Sequence, residues 1–449
     1  MKKLSAGILM GLIAVLGSAH AEVNRYHPNH LFIKMKAGET LVQSPLIKSS
    51  KKIFGSLYLV NTTSADQLAA KLADSSAIEY IQKDFYAGKK SMPKHEVLNE
   101  GGLLMKQLQN FDFSTSFNDP AASRLWAFAE KNGMDVFGAY DSLPARTAKE
   151  IIVAVADTGV DHNHEDLKDI MWSNEKEIPG NGIDDDNNGY TDDIHGINTL
   201  VRDAQGRATM NTMASHWHGT HVAGTIAATQ NNGVGIAGVA HNVKIMAIRV
   251  VPDDADELDS DIVEGYLYAA NNGAKIINCS FGKKNNEGGM VVRDTINAIA
   301  KKGVLVVVSA GNDSMGPFSW HDIDTNLKYP ASFDSANMIV IASTQSDGKM
   351  SSFSNIGKVG VDVASPGSNI YSTVNNGQYS MASGTSMAAP NASGVAAMVM
   401  GYYPNLKVNS IKKILMNTVT PVPAFKNQLV SGGRINLKAA LEKAKSVRR

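Results

Sequence analysis

Apolar positions fall into two rhythms along this chain. From residue 22 to 85 they come in short runs, "HLFIKMKAG", "SLYLVNT" and "AIEYIQKDF", which read as strands. Between the second and third lies "SADQLAAKLADSS", a helix with a capping box: Ser64 caps the free amides of its first turn, and Gln67 stands three residues later to answer it. These elements predict a small αβ unit. Residues 86–118, with "YAGKKSMPKHEVLNEGG", are rich in Lys, Gly and Pro without sustained periodicity, the pattern of an exposed linker. From about residue 119 apolar runs alternate with helical segments of small residues. That alternation predicts an α/β domain, a mostly parallel central sheet covered on both faces. Its strands are "EIIVAVADTG", "VKIMAIRV", "AKIINCSFG", "GVLVVVSAGN" and "NMIVIAST", each ending in a turn with Gly, Asp, Asn or Ser. In open α/β sheets chemistry gathers just past the carboxyl ends of the strands, so these turns are the places to search.

Composition narrows the partners. With 43 Lys+Arg against 43 Asp+Glu the formal net charge is zero, which offers no basic patch for nucleic acid. The first 21 residues, "MKKLSAGILMGLIAVLGSAHA", read as a signal peptide ending in the small-x-small pattern Ala19-His20-Ala21, and imply a secreted protein, extracellular or periplasmic. Their apolar run is short for an anchor, and no later stretch reaches the roughly 18 apolar residues of a membrane span, so the mature chain is expected to have none. Cys279 is the sole cysteine, which excludes an intramolecular disulfide and leaves room for a metal as restraint. At the end of "AKIIN" it reads as a buried small hydrophobe and not as a nucleophile.

Three residues stand where chemistry is expected. Asp157 ends the buried-looking run "IIVAVA" in "DTGVD", His218 opens the helix of "HGTHVAGTIAAT", and Ser386 heads "SMAAPNASGVAAMVM". Alone, each has an ordinary reading: a turn aspartate, a structural histidine, a helix cap. Helix-head placement also aims backbone amides at any anion forming beside Ser386, while Pro390 leaves the Ser386 carbonyl without its helical partner. His216, His218 and His221 form H-x-H-x-x-H, but without the glutamate of H-E-x-x-H they are a poor zinc-hydrolase site. "GVGIAG", Gly233 to Gly238, precedes a strand, the reverse of a dinucleotide site. The segment "NGIDDDNNGYTDD" is a better metal candidate. Asp184, Asp186 and Asn188 alternate like the oxygen ligands of a calcium loop, Gly189 supplies the turn, Tyr190 offers its carbonyl, and Asp193 (or Asp192) closes the shell that His195 at the twelfth position does not. A structural calcium is expected there.

Taken together, "DTGVD", "HGTHVAG" and "GTSMAAP" in that order, with "SAGN", resemble the subtilisin-like serine proteases from "NDPAASRLWAF" to "SGGRINLKAAL". The resemblance implies a three-layer α/β catalytic domain over residues 119–449 in which Asp157, His218 and Ser386 form the triad. Asn312 matches the family's oxyanion residue. Ser280, Phe281 and Gly282, with Ser309, Ala310 and Gly311, resemble the two edges that clamp a peptide as an added strand. It further implies a secreted, monomeric endopeptidase of protein or peptide substrates working through an acyl-enzyme. Residues 22–85 then resemble an inhibitory propeptide, and 86–118 hold the maturation site. A permanent accessory domain is the alternative for 22–85. For the whole chain the alternatives are an inactive exported peptide-binding protein and a dedicated processing or transpeptidating relative. Asp313 and the pair Lys283-Lys284 bear on subsite charge in a direction the sequence leaves open.

Overall fold

The computed structural model describes residues 26–86, 117–253, 257–284, 289–316 and 319–447; the expected signal peptide and nearly all of the expected linker lie outside these. The N-terminal unit comprises β1 (Tyr26–Met35), β2 (Ile47–Phe54), β3 (Leu57–Thr62), helix α1 (Ala65–Leu72) and β4 (Ile78–Phe85) in one antiparallel sheet of order β2-β3-β1-β4. Ser64 caps α1 as expected, accepting the Gln67 N–H at 3.3 Å. Leu31, Ile33, Met35 and Val60 point under α1 to meet Leu68 and Leu72, while Phe32 and Leu57 on the opposite pleat join the core of the second unit. Strand β2 is a correction to the sequence reading, which expected three strands here. Its "IKSSKKIF" is almost wholly exposed and is held by backbone pairing with β3, so no apolar alternation announces it; its lysines guard the sheet edge.

The second unit is the expected α/β domain. After the short α2 (Val136–Tyr140) come β5 (Ile151–Asp157), β6 (Gly196–Arg202), β7 (Ala208–Thr209), α3 (His218–Ala227), β8 (Val243–Arg249), α4 (Asp259–Asn271), β9 (Ile276–Cys279), α5 (Val291–Ala300), β10 (Leu305–Ser309) and β11 (Met338–Thr344). There follow β12 (Val363–Pro366), a hairpin of β13 (Ile370–Val374) and β14 (Gln378–Ala382), α6 (Thr385–Tyr402), α7 (Val408–Asn417), β15 (Thr420–Pro421), β16 (Gly433–Arg434) and α8 (Leu437–Ser446). The sheet runs β15-β16-β12-β11-β10-β9-β5-β8-β6-β7, with all neighbours parallel except the outermost pair at each end. Its strands read as unbroken apolar runs because both pleats are buried. Val153 and Val155 face a core shared with α3, α6, α7 and α8, whereas Ala154 and Ala156 face one shared with α4 and α5.

The N-terminal sheet docks on the α4 and α5 side. Asp84 Oδ1 accepts the Ser260 N–H at 2.9 Å and Gln82 Oε1 accepts the Val291 N–H at 2.8 Å, so β4 caps the free amides of both helices. Lys34 and Tyr80 reach Asp294 at 2.6 and 3.0 Å, and Tyr86 forms an antiparallel bridge with Leu258 just ahead of α4. Among the described residues no helix is long and apolar enough to cross a membrane.

Candidate active site

Five element ends converge past the carboxyl edge of the sheet. Asp157 is the last residue of β5 and His218 the first of α3; they meet with Asp157 Oδ1 2.7 Å from His218 Nδ1, both side chains almost wholly buried. The Thr158 N–H donates to the same carboxylate oxygen at 2.7 Å, which fixes the carboxylate plane. Gly219 is required beside His218, because a Cβ there would stand 2.0 Å from the Gly159 carbonyl; its N–H instead bonds Thr158 Oγ1 at 3.1 Å. The turn after β5 and the head of α3 are thereby locked together. With Nδ1 facing a carboxylate, the imidazole presents Nε2 outward as the nitrogen able to take a proton.

Helix α6 is buried along its whole length except at Ser386. That pattern follows from composition, since alanine, glycine and small polar residues let a helix run through the interior between α3 and the sheet. Pro390 does orphan the Ser386 carbonyl, and the structure shows what replaces the missing N–H: Ser280 Oγ donates to it at 2.9 Å. The exchange is reciprocal, because Ser386 Oγ donates to the Ser280 carbonyl at 3.0 Å. Ser280 is in turn held by Asn278 Nδ2 at 2.8 Å, and Asn278 Oδ1 accepts from Ser393 Oγ, two turns along α6, at 2.9 Å. A buried polar chain therefore ties the end of β9 to the head of α6.

Asn312 follows β10 and is oriented by Thr385. Its Oδ1 accepts both the Thr385 N–H at 2.8 Å and the Thr385 hydroxyl at 2.9 Å, and that hydroxyl also accepts the Gly311 N–H at 3.0 Å. Fixing Oδ1 there turns Nδ2 the other way. Asn312 Nδ2 and the Ser386 backbone nitrogen each lie 3.5 Å from the point a Cβ on Gly384 would occupy, so glycine keeps open the space in which two donors converge. Ser280, Phe281 and Gly282 follow β9, and Ser309, Ala310 and Gly311 end and follow its parallel neighbour β10, where Asn355 Nδ2 donates to the Ala310 carbonyl at 3.0 Å. Thr385, Asn355 and Leu258 were not singled out in the sequence; Thr385 stands inside "GTSMAAP", but its partners lie over seventy residues away.

Two ring nitrogens of the histidine cluster are engaged within the protein. His218 Nδ1 is turned to Asp157 and His221 Nε2 to the Ile370 carbonyl at 3.0 Å. Cys279 is fully buried, and burial pushes its thiol up to about 12, consistent with a packing role. In the aspartate loop, oxygens of Asp184, Asp186 and Glu177 lie within 4.8 Å of one another. Asp193, expected to close that shell, is instead fully buried, with Oδ1 accepting from Asn174 Nδ2 and Oδ2 from Asn188 Nδ2 and the Tyr268 hydroxyl. Asp192 takes the Gly180, Asn181 and Gly182 N–H groups. The Asn188 side-chain oxygen accepts the Tyr190 N–H, and the Tyr190 hydroxyl bonds Glu264 at 3.0 Å. Glu177 was not among the residues the sequence singled out, because it precedes the segment "NGIDDDNNGYTDD".

The sequence model of the subtilase family matches residues 148–432. Subtilisin-like protease 1 of Plasmodium berghei is 33% identical over 367 residues, covering 78% of this chain and 58% of that protein. An extracellular protease of Xanthomonas campestris is 32% identical over 346 residues, covering 73% of this chain and 57% of its own. The chain thus spans under two thirds of the length of these relatives. The solved structure of fervidolysin from Fervidobacterium pennivorans, a keratinolytic enzyme related to subtilisin, shares the fold with a TM-score of 0.65 at 24% identity, covering 94% of this chain and 62% of that one. Since the family match takes in every strand end and helix head that carries Asp157, His218, Asn312 and Ser386, the chain belongs to the subtilase family.

Proposed function

We propose that this protein is a secreted serine endopeptidase made as a zymogen. The observation that carries the reading is the meeting of Asp157 and His218 at 2.7 Å beside a buried helix whose one accessible residue is Ser386. In the proposed reaction Ser386 Oγ leaves the Ser280 carbonyl, turns to His218 and attacks the substrate carbonyl as His218 Nε2 takes its proton. The tetrahedral oxyanion accepts from Asn312 Nδ2 and the Ser386 N–H. His218 returns the proton to the leaving amine, and Asp157 stabilises the imidazolium throughout. Water then repeats the sequence on the acyl-enzyme. Every participating group comes from one chain, which suits a monomer.

The N-terminal unit acts, in this reading, as a removable inhibitor. Support comes from Asp84 and Gln82 capping α4 and α5, and from the antiparallel bridge of Tyr86 with Leu258 just ahead of α4. The loop carboxylates Glu177, Asp184 and Asp186 have the spacing and oxygen chemistry of a calcium site; the ion would clip the loop and supply no step of the reaction.

A serine-directed fluorophosphonate tests the core of the proposal. It should label wild-type protein on Ser386 and block casein hydrolysis, and neither labelling nor hydrolysis should survive in Ser386→Ala. Labelling that persists in the variant sinks the assignment. N-terminal sequencing of the exported product should find a start within 86–120, with residues 22–85 still attached in Ser386→Ala.

A further inference from the structure

Strand β9 carries a polar side chain where both of its neighbours carry valine. In the register of the sheet Asn278 lies between Val155 of β5 and Val307 of β10, on the pleat that faces α6, and it is fully buried. A third valine would fill the layer without taking an amide out of water. Instead both ends of the Asn278 amide are used. The Ser393 hydroxyl donates to Oδ1 at 2.9 Å, Nδ2 donates to Ser280 Oγ at 2.8 Å, and the Ser280 hydroxyl donates in turn to the Ser386 carbonyl at 2.9 Å. Seven residues, nearly two full turns, separate Ser386 from Ser393, so the two stand on one face of α6, about 10 Å apart along its axis. Asn278 therefore holds the helix at two heights. The composition of α6 makes such a brace necessary: the small side chains of "MAAPNASGVAAM" let it run close against the sheet and α3 but form shallow ridges, which resist a slide along the axis weakly. Strand β9 is also the right anchor, since in the sheet it lies between β5, which ends in Asp157, and β10, which leads to Asn312. A helix fixed to β9 is fixed to both at once.

We propose that Asn278 is a positioning residue for the nucleophile. It sets the axial height of α6, and with it the places of Ser386 Oγ and the Ser386 N–H relative to His218 and Asn312. Being fully buried, it acts through Ser280 and Ser393 and not on substrate. The inference deepens the proposed peptidase reading, on which it rests. A displacement on the order of 1 Å at a reacting group costs about 10²-fold in rate. The nucleophile and the oxyanion donors meet their targets in the transition state, so loss of the brace falls on kcat and leaves KM little changed.

Two variants test the role. Asn278→Val combined with Ser393→Ala removes both polar partners together and continues the valine layer, so the double variant should melt close to wild type. Ser393→Ala alone frees one end of the brace. Both are compared with wild type at the same stage of processing, by the rate of fluorophosphonate labelling and by kcat and KM on a fluorogenic peptide. In the double variant the labelling rate and kcat should fall on the order of 10- to 100-fold with KM and melting temperature little changed, and Ser393→Ala should lie in between. A double variant that labels and turns over like wild type overturns the proposal. So does one whose loss of rate merely follows a loss of melting temperature, or lies in KM. Should the double variant not fold, Ser393→Ala decides by the same readouts, and a labelling rate equal to wild type ends the proposal. Wild-type labelling separates the two levels. Wild type that labels beside unaffected variants refutes the role of Asn278 alone, whereas wild type that neither labels nor cleaves refutes the peptidase reading and the inference with it.

Discussion

The head of α6 and the aspartate loop are both polar clusters on connecting segments, yet they are built in opposite ways. At the head of α6 the contacts are distant in sequence: Ser386 to Ser280, Thr385 to Asn312 and Gly311, Asn278 to Ser393. Apart from Ser393, two turns into α6, they lie at or next to the ends of buried elements, so the backbone fixes most of the geometry. In the loop most contacts are local: Asp184 to Asn188 and Gly189, Asp186 to Asn188, Asp192 to Gly180 and Gly182. Positive backbone φ at Asn187, Gly189 and Asp192 shapes a tight turn that leaves its carboxylates close together. The first arrangement is preorganised by the core, as the proposed catalysis demands; the second brings carboxylates together on a tight turn, as the proposed calcium site requires.

If that contrast holds, damage at the α6 head should fall on turnover and damage in the loop on stability. Ser386→Ala is the extreme case: kcat should fall on the order of a million-fold with the melting temperature nearly unchanged, and His218→Ala should match it. The double variant should be scarcely worse, because the two act as a unit. A melting temperature that fell with activity would mean the serine is structural.

Asn312→Ala comes next. Removing one of two oxyanion donors should cost about 10²- to 10³-fold in kcat with KM little changed. Thr385→Val, which leaves Asn312 present but frees its oxygen, should reproduce part of this loss; steady-state kinetics that placed the defect in KM would show that Asn312 binds ground-state substrate instead.

The same contrast explains which features were legible in the sequence. Asp157 and Asn312 stand where apolar runs come to an end and His218 and Ser386 where helices of small residues begin, but their roles were legible only through the resemblance carried by "DTGVD", "HGTHVAG", "SAGN" and "GTSMAAP", each a short local stretch. The capping role of Ser64 was legible for the same local reason. What escaped depends on long-range pairing. β2 is a strand only because β3 lies beside it, and Thr385 orients Asn312 only because folding brings the end of β10 to the head of α6. Glu177 joins Asp184 and Asp186 through a turn that the acidic run does not encode.

In the loop, smaller effects are expected. If calcium is present at about 100 times its Kd, binding contributes about 2.7 kcal/mol, so chelator should lower the melting temperature by several degrees. Glu177→Gln should remove that sensitivity by deleting a ligand. Asp193→Asn should lower the melting temperature through its buried contacts with Tyr268 and Asn174 while leaving the chelator shift in place. Calorimetry with and without chelator distinguishes them, and the opposite pattern would restore Asp193 as the ligand and demote Glu177.

The smallest effect concerns a joint that both views treat as scaffold. Pro390 lacks an N–H, and the Ser280 hydroxyl stands in for it at the Ser386 carbonyl. Ser280→Ala therefore leaves that carbonyl unpaired, a loss of about 1 kcal/mol for a partly buried group. Pro390→Ala on its own restores a backbone donor within the helix, so in that background the Ser280 hydroxyl has little left to do and Ser280→Ala should be nearly neutral. A double-mutant cycle in denaturant should then show a coupling of about 1 kcal/mol between positions 280 and 390, carried by this one carbonyl. Additive losses would mean that water or the Ser280 backbone already satisfies the carbonyl, and the hydroxyl's closeness would be a consequence of packing and not its cause.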